Sequence, residues 1–176
     1  DAAGIMVPHL ISLHEAKEIV KNTRFHPIGF RPVDGGNADG KYCMLDFNEY
    51  LEKANKERFI TVQIEDVEPL NELEQIAELE GIDMIFFGPG DFSQSIGKPG
   101  QMDAPEVIET RKRVAQVSRK AGKYPATVGS PDNFQQLVDM GYQFISIGAD
   151  VVGLANYFKG LLSEKTSKNN KSGKIY

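Results

Sequence analysis

The sequence predicts an α/β fold built on parallel strands, from three observations. Short apolar runs recur at five places, Gly4 to His9, Phe59 to Glu65, Met84 to Gly88, Tyr124 to Ser130 and Phe144 to Gly148. Amphipathic stretches of helical length separate them, the alternation that gives parallel βαβ units. Explicit helix-start signals stand between the runs. Five such units suit either an open doubly wound sheet or part of an eight-stranded TIM (β/α)8 barrel, and periodicity alone does not choose. The Gly-x-Gly-x-x-Gly turn that marks many doubly wound sheets follows none of the strands. A barrel of about 250 residues lacking its first three units would be close in length to these 176 residues.

Taken in order, Ser12 with Glu15 three residues on reads as a capping box that starts a helix after the first strand. The segment from Phe25 to Cys43 holds two prolines and the run Asn37-Ala38-Asp39-Gly40, so a long loop between two helices is expected there, and loops of that length are usually functional or interfacial. A helix over 46–57 follows, with Phe47, Tyr50, Leu51 and Ala54 on one face. Asp103 with Pro105 and Glu106 predicts a second capping box, and Ser130-Pro131 a third helix start with proline in the first turn. From Ser163 the chain turns polar and lysine-rich, which predicts a disordered tail over 163–176 after a single domain over 1–162.

Composition excludes several classes. A net charge of −5 gives no basic footprint for nucleic acid. No apolar run approaches the roughly 18 residues that cross a bilayer, so no membrane partner is expected. One cysteine, Cys43, cannot form an internal disulfide and fits a reducing, cytoplasmic setting. The opening Asp1-Ala2-Ala3-Gly4 runs directly into an apolar strand and reads as a start in mid-fold.

The chemistry lies at two strand ends. In Phe59 to Glu65, Ile60, Val62 and Ile64 alternate with Thr61, Gln63 and Glu65. Both faces of a parallel strand are normally covered, so the polar row is expected inside, and a buried carboxylate needs a partner such as a cation. The next strand runs into Gly88-Pro89-Gly90-Asp91, which sets a second carboxylate 26 residues after Glu65, one βαβ repeat away. Active sites of α/β barrels lie on this C-terminal rim. Two carboxylates with the remaining positions open suit Mg²⁺ or Mn²⁺ better than zinc. The backbone N–H groups of Gly90 and Asp91 form a candidate nest for a substrate carboxylate. Taken singly, Glu65 reads as a solvated strand end and Asp91 as a turn residue; together with Gln63 they read as a metal site.

These residues carry a resemblance to the HpcH/HpaI aldolases, metal-dependent pyruvate aldolases of the phosphoenolpyruvate/pyruvate barrel superfamily. The matching segments are Gly-Ile-Met-Val-Pro-His from Gly4, Val-Gln-Ile-Glu from Val62, Gly-Ile-Asp-Met-Ile-Phe-Phe-Gly-Pro-Gly-Asp-Phe-Ser from Gly81 and Ile-Gly-Ala-Asp from Ile147. The resemblance implies a TIM barrel of which this chain supplies about five C-terminal βα units. It implies Glu65 and Asp91 as ligands of a divalent metal (Mg²⁺, Mn²⁺ or Co²⁺), Gln63 reaching the substrate, and the Gly90 and Asp91 backbone holding the pyruvate carboxylate. The implied reaction is a lyase step: a 4-hydroxy-2-oxo acid is cleaved to pyruvate and an aldehyde, or formed from them, through a metal-stabilised pyruvate enolate. The family's base histidine and enolate-stabilising arginine are expected on strands before Gly4, which leaves the catalytic residues of this chain unassigned. A homo-oligomer is also implied, a hexamer exchanging its last helix, here Asp150 to Leu162.

His9, near the end of the first strand, reads equally as a pocket or a structural histidine. His14 and His26 read as structural or exposed, and Arg31 as a residue that binds an anionic substrate or, the favoured reading, pairs across a subunit boundary. None of the five strands carries a lysine for a Schiff-base aldolase. The rival readings are a CoA-thioester lyase of the citrate lyase β-subunit type, a phosphate-binding barrel using Gly129-Ser130 and Gly148, and a truncated barrel without catalysis.

Overall fold

A computed structural model describes residues 2–169, with side chains to Ser163. Five strands form one parallel sheet: β1 (Gly4–Val7), β2 (Phe59–Ile64), β3 (Met84–Phe87), β4 (Tyr124–Gly129) and β5 (Phe144–Ile147). Their order in the sheet is their order in the chain. A doubly wound sheet reverses strand order at a switch point, whereas a barrel adds each strand beside the last, so this order selects the barrel segment. All five expected strands are present, each shorter by one or two residues at its C-terminal end.

Seven helices are described: α1 (Leu13–Thr23), α2 (Phe47–Glu57), α3 (Leu73–Glu78), α4 (Pro89–Ser95), α5 (Pro105–Lys120), α6 (Phe134–Asp139) and α7 (Asp150–Asn169), with a short 3-10 turn over Glu68–Glu72. Ser12 caps α1 by accepting from the Glu15 N–H, but the Glu15 carboxylate accepts from Ile11 rather than closing the box on Ser12. Asp46 caps α2, where the sequence already placed a helix start. Two expected starts shift. Ala104, with no side-chain cap, precedes α5, so Asp103 does not cap it. Residues 131–133 turn before α6 begins at Phe134, because the Asn133 side chain takes the Ser130 N–H and holds that turn together. The long loop between α1 and α2 is present as expected. The helix α7 runs beyond Ser163 to Asn169, and residues 170–176 lie outside the described residues.

The core lies between sheet and helices. Val62, Ile64, Ile85 and Phe87 point from the strands toward Ala16, Val20, Leu73, Ile76, Val107, Val114 and Leu137 of the helices. Register then sets the other face: Met6 pairs with Thr61, Gln63 with Phe86, Phe86 with Ala126 and Ala126 with Phe144. This is the inner face, and β2 brings its polar row to it. At the N-terminal ends of β2 and β3, Arg24, 2% exposed, donates to the carbonyls of Gly81, Asn55 and Arg58 and pairs with Asp83. Asp83 in turn accepts from the Ile60 N–H at 2.6 Å. One guanidinium thus joins the ends of α1 and α2 to the starts of two strands.

Candidate metal centre

The site is built where β1, β2 and β3 end. Glu65 follows β2 directly, and the pleat turns it to the same side as Thr61 and Gln63. It is 1% exposed. Its carboxylate accepts from the His9 N–H at 2.9 Å through Oε1 and from the Gln63 amide through Oε2. Both donors are neutral. Among the described residues no lysine or arginine lies within ion-pair distance, and the exposed His9 imidazole, 3.6 Å from Oε1, is a countercharge only when protonated.

Asp91 arrives from the other side. β3 ends at Phe87, Gly88 turns the chain, and Pro89 opens α4, a position where its missing N–H costs nothing. Asp91 falls in the first turn, exposed, with Gly90 beside it. Ser93 fixes this turn: its hydroxyl donates to the Gly90 carbonyl at 2.6 Å and accepts from the Gly100 N–H at 3.0 Å. The N–H groups of a helix's first turn have no acceptor within the helix and are open to an anion. One donor atom each from His9, Glu65 and Asp91 lie within 4.8 Å of one another. Two carboxylates and an imidazole are a donor set suited to a divalent cation.

Gly88 is where the backbone must come close. A Cβ there would stand 2.5 Å from Glu65 Oε2 and 2.9 Å from Gln63 Nε2. Gly88→Ala is therefore expected to displace the Glu65 carboxylate and weaken divalent-metal binding by about tenfold or more, a 1–3 kcal/mol overpacking effect, in calorimetric titration of the folded variant.

His9 sits just past β1 with φ +51, a left-handed conformation uncommon outside glycine. Its Nδ1 lies 3.0 Å from Asp66 Oδ2 and 3.6 Å from Glu65 Oε1. The hydrogen bond to Asp66, with the Glu65 charge adding to it, raises the imidazole above its ordinary value of 6.5. A raised folded value stabilises the metal-free fold below the unfolded pKa, and that contribution is lost as pH rises through the folded value. In an NMR titration of the metal-free protein, Asp66→Asn is expected to bring the His9 midpoint down toward 6.5.

Gln63 and Glu65 thus share a hydrogen bond, a donor atom of Asp91 lies within 4.8 Å of one from Glu65, and Gly90 adjoins Asp91 in α4. His9 joins them, although sequence left it evenly between pocket and structure. Asp66 went unread, and nothing in the sequence showed that Gly88 makes room for the Glu65 and Gln63 side chains. The signal for Gly88 was present, a glycine between two apolar residues and a proline, but nothing marked what it must avoid. His14 is exposed on α1. Arg31 lies at the opposite ends of the strands, its guanidinium 4.7 Å from the Phe25 ring centre, beside a cavity shared with Gly4, Ile60 and Arg58. Gly129 is packed closely, since a Cβ would meet Leu137 at 2.7 Å and Ile145 at 2.8 Å, so it makes room for the core instead of cradling a phosphate.

Comparison with known proteins agrees with this fold. The sequence model of the HpcH/HpaI aldolase/citrate lyase family matches residues 1–156. The 4-hydroxy-2-oxo-heptane-1,7-dioate aldolase of Shigella sonnei is 33% identical over 159 residues, covering 89% of this chain and 60% of its own. The enzyme of that name from Klebsiella pneumoniae is 31% identical, covering 97% and 67%. The chain therefore spans about three fifths of the Shigella relative's length. Among solved structures, an HpcH/HpaI aldolase from Desulfitobacterium hafniense superimposes with a TM-score of 0.85 at 28% identity, over 93% of this chain and 64% of that one. Citrate synthase SbnG gives 0.84 at 27%, over 96% and 65%. With its barrel segment, its strand-end carboxylates and a family match over residues 1–156, the chain belongs to the HpcH/HpaI aldolase/citrate lyase family.

Proposed function

We propose that this chain is the metal- and pyruvate-binding portion of a divalent-metal-dependent aldolase that cleaves 4-hydroxy-2-oxo acids to pyruvate and an aldehyde, or joins them. The observation that carries the reading is Glu65, buried to 1% exposure with neutral donors alone, beside Asp91 on the strand-end rim. A bound cation supplies Lewis-acid polarisation of the carbonyl oxygens of a 2-oxo acid. Glu65 and Asp91 hold that cation, and Mg²⁺ and Mn²⁺ fit their oxygen donors. Gln63 orients Glu65 and faces the substrate from the inner side of β2. The free N–H groups of Gly90 and Asp91 receive the substrate carboxylate. The proton-transferring histidine and the arginine that stabilises the enolate belong to strands preceding β1.

The test is release of pyruvate from a 4-hydroxy-2-oxo acid by the protein that contains this chain, followed through lactate dehydrogenase. Activity is expected without CoA, lost with EDTA and restored by Mg²⁺ or Mn²⁺. A requirement for a CoA thioester would instead favour the citrate lyase type of reaction.

A homo-oligomer is part of the same reading. Along α7, Val151, Val152, Leu154, Tyr157, Phe158 and Leu161 are all exposed. An apolar helix of this kind suits exchange between subunits of a hexamer, which light scattering would detect. No described helix is long and apolar enough to cross a membrane. The exposed free thiol of Cys43 suits the cytoplasm.

A further inference from the structure

We infer that His9 is a third protein ligand of the cation, bringing one imidazole nitrogen into a centre otherwise made of oxygen. This rests on the metal-centre reading of Glu65 and Asp91 and adds what it lacks, a basis for choosing among metals. Three observations support it independently of the family. First, a His9 ring nitrogen lies within 4.8 Å of oxygens from both carboxylates, close enough for one ion to reach all three.

Second, the backbone of His9 is tied to the same carboxylate that would share the ion. Its N–H donates to Glu65 Oε1 at 2.9 Å while its φ is +51. A glycine would satisfy that turn without strain, so the imidazole is kept in an unfavourable conformation directly over the site. The side chain is 60% exposed and fills no core position, so packing does not account for it.

Third, Asp66 supplies the outer partner that ligating histidines characteristically have. Its Oδ2 lies 3.0 Å from Nδ1, which is also 3.6 Å from Glu65 Oε1, so an ion bound through Nε2 keeps the Asp66 bond. The carboxylate then fixes both tautomer and ring orientation. Asp66 is adjacent to Glu65 in the chain, so β2 delivers a ligand and the support for another ligand from consecutive residues.

The consequence is selectivity. Imidazole nitrogen adds affinity for Co²⁺, Ni²⁺ and Zn²⁺ far more than for Mg²⁺, which prefers oxygen and water. His9 would therefore tilt the centre toward transition ions where both kinds are present.

The direct test uses the metal-free protein loaded with one equivalent of Mn²⁺ and pulsed EPR. The expected result is a nitrogen-14 coupling of directly bound imidazole in the unaltered protein, absent in His9→Gly. That variant accepts φ +51 and keeps the N–H to Glu65, and circular dichroism checks its fold. In parallel titrations His9→Gly is expected to lower Co²⁺ affinity about 10- to 100-fold and Mg²⁺ affinity by less than about threefold. Mn²⁺ bound with no nitrogen coupling, or equal losses for the two metals, would overturn His9 as a ligand and leave the Glu65–Asp91 centre standing. Failure to bind Mn²⁺ at all would overturn both. The spectrum of the unaltered protein decides the question even if the variant does not fold.

Discussion

Glu65→Gln is expected to lower divalent-metal affinity by about 100-fold or more while making the metal-free protein more stable, by about 1 kcal/mol or more. The two effects have one cause. Glu65 is buried to 1% exposure with only neutral hydrogen-bond donors, and the nearest cation is the exposed His9 imidazole, 3.6 Å from Oε1 and charged only when protonated, so at a pH where His9 is neutral the metal-free carboxylate has lost its water without gaining a countercharge. Glutamine has nearly the same shape and removes that charge. Its amide oxygen still accepts one of the two hydrogen bonds, from the His9 N–H or from Gln63. Calorimetric titration and thermal melting with and without Mn²⁺ check the pair of outcomes. A structural carboxylate would behave oppositely: its loss would destabilise the fold and leave metal binding untouched. The stabilising effect of added metal on the unaltered protein should also vanish in the variant.

Arg24→Ala is expected to cost about 3 kcal/mol in a denaturant or thermal melt, with little effect on the intrinsic metal affinity of whatever remains folded. Arg24 lies at the opposite ends of the strands from Glu65 and Asp91. Its removal leaves Asp83, whose side chain is 37% exposed, with the Ile60 N–H and solvent, and takes away the only side-chain donor, among the described residues, to the carbonyls of Gly81, Asn55 and Arg58. Those carbonyls close the ends of α2 and the approach to β3, so the loss spreads over three elements. Conserving charge does not conserve this role. Arg24→Lys keeps one cation but lacks the planar fork that serves four acceptors, and it should recover only part of the loss.

The contrast between these two positions follows how a barrel divides its ends, with chemistry at the C-terminal ends of the strands and stability at the N-terminal ends. The chemical end was the more legible in sequence. Glu65 and Asp91 stand out because alternation along β2 sends a carboxylate to a covered face and because Gly88-Pro89-Gly90-Asp91 stops a buried strand abruptly. The five strands were legible from apolar runs alone, and sequential order resolved what periodicity left open between barrel and doubly wound sheet.

What escaped the sequence was mostly long-range. Arg24 reads locally as one more basic residue at a helix end, and its four acceptors come from residues 31 to 59 positions away. Asp66 reads as a turn residue until His9, 57 positions earlier in the chain, is brought beside it by strand pairing. The Asp103 capping box failed for a more local reason: the chain bends one residue later, at Ala104, and Pro105 starts the helix without a side-chain cap. Spacing rules register residue types well and backbone turns poorly.

The most direct measurement on the Glu65–Asp91 centre is anomalous diffraction from crystals of the protein soaked in Mn²⁺, collected for the unaltered chain and for Glu65→Gln. One strong anomalous peak is expected about 2.1 Å from carboxylate oxygens of both Glu65 and Asp91, disappearing in the variant. A peak bound elsewhere, or one that persists unchanged in Glu65→Gln, would contradict that centre.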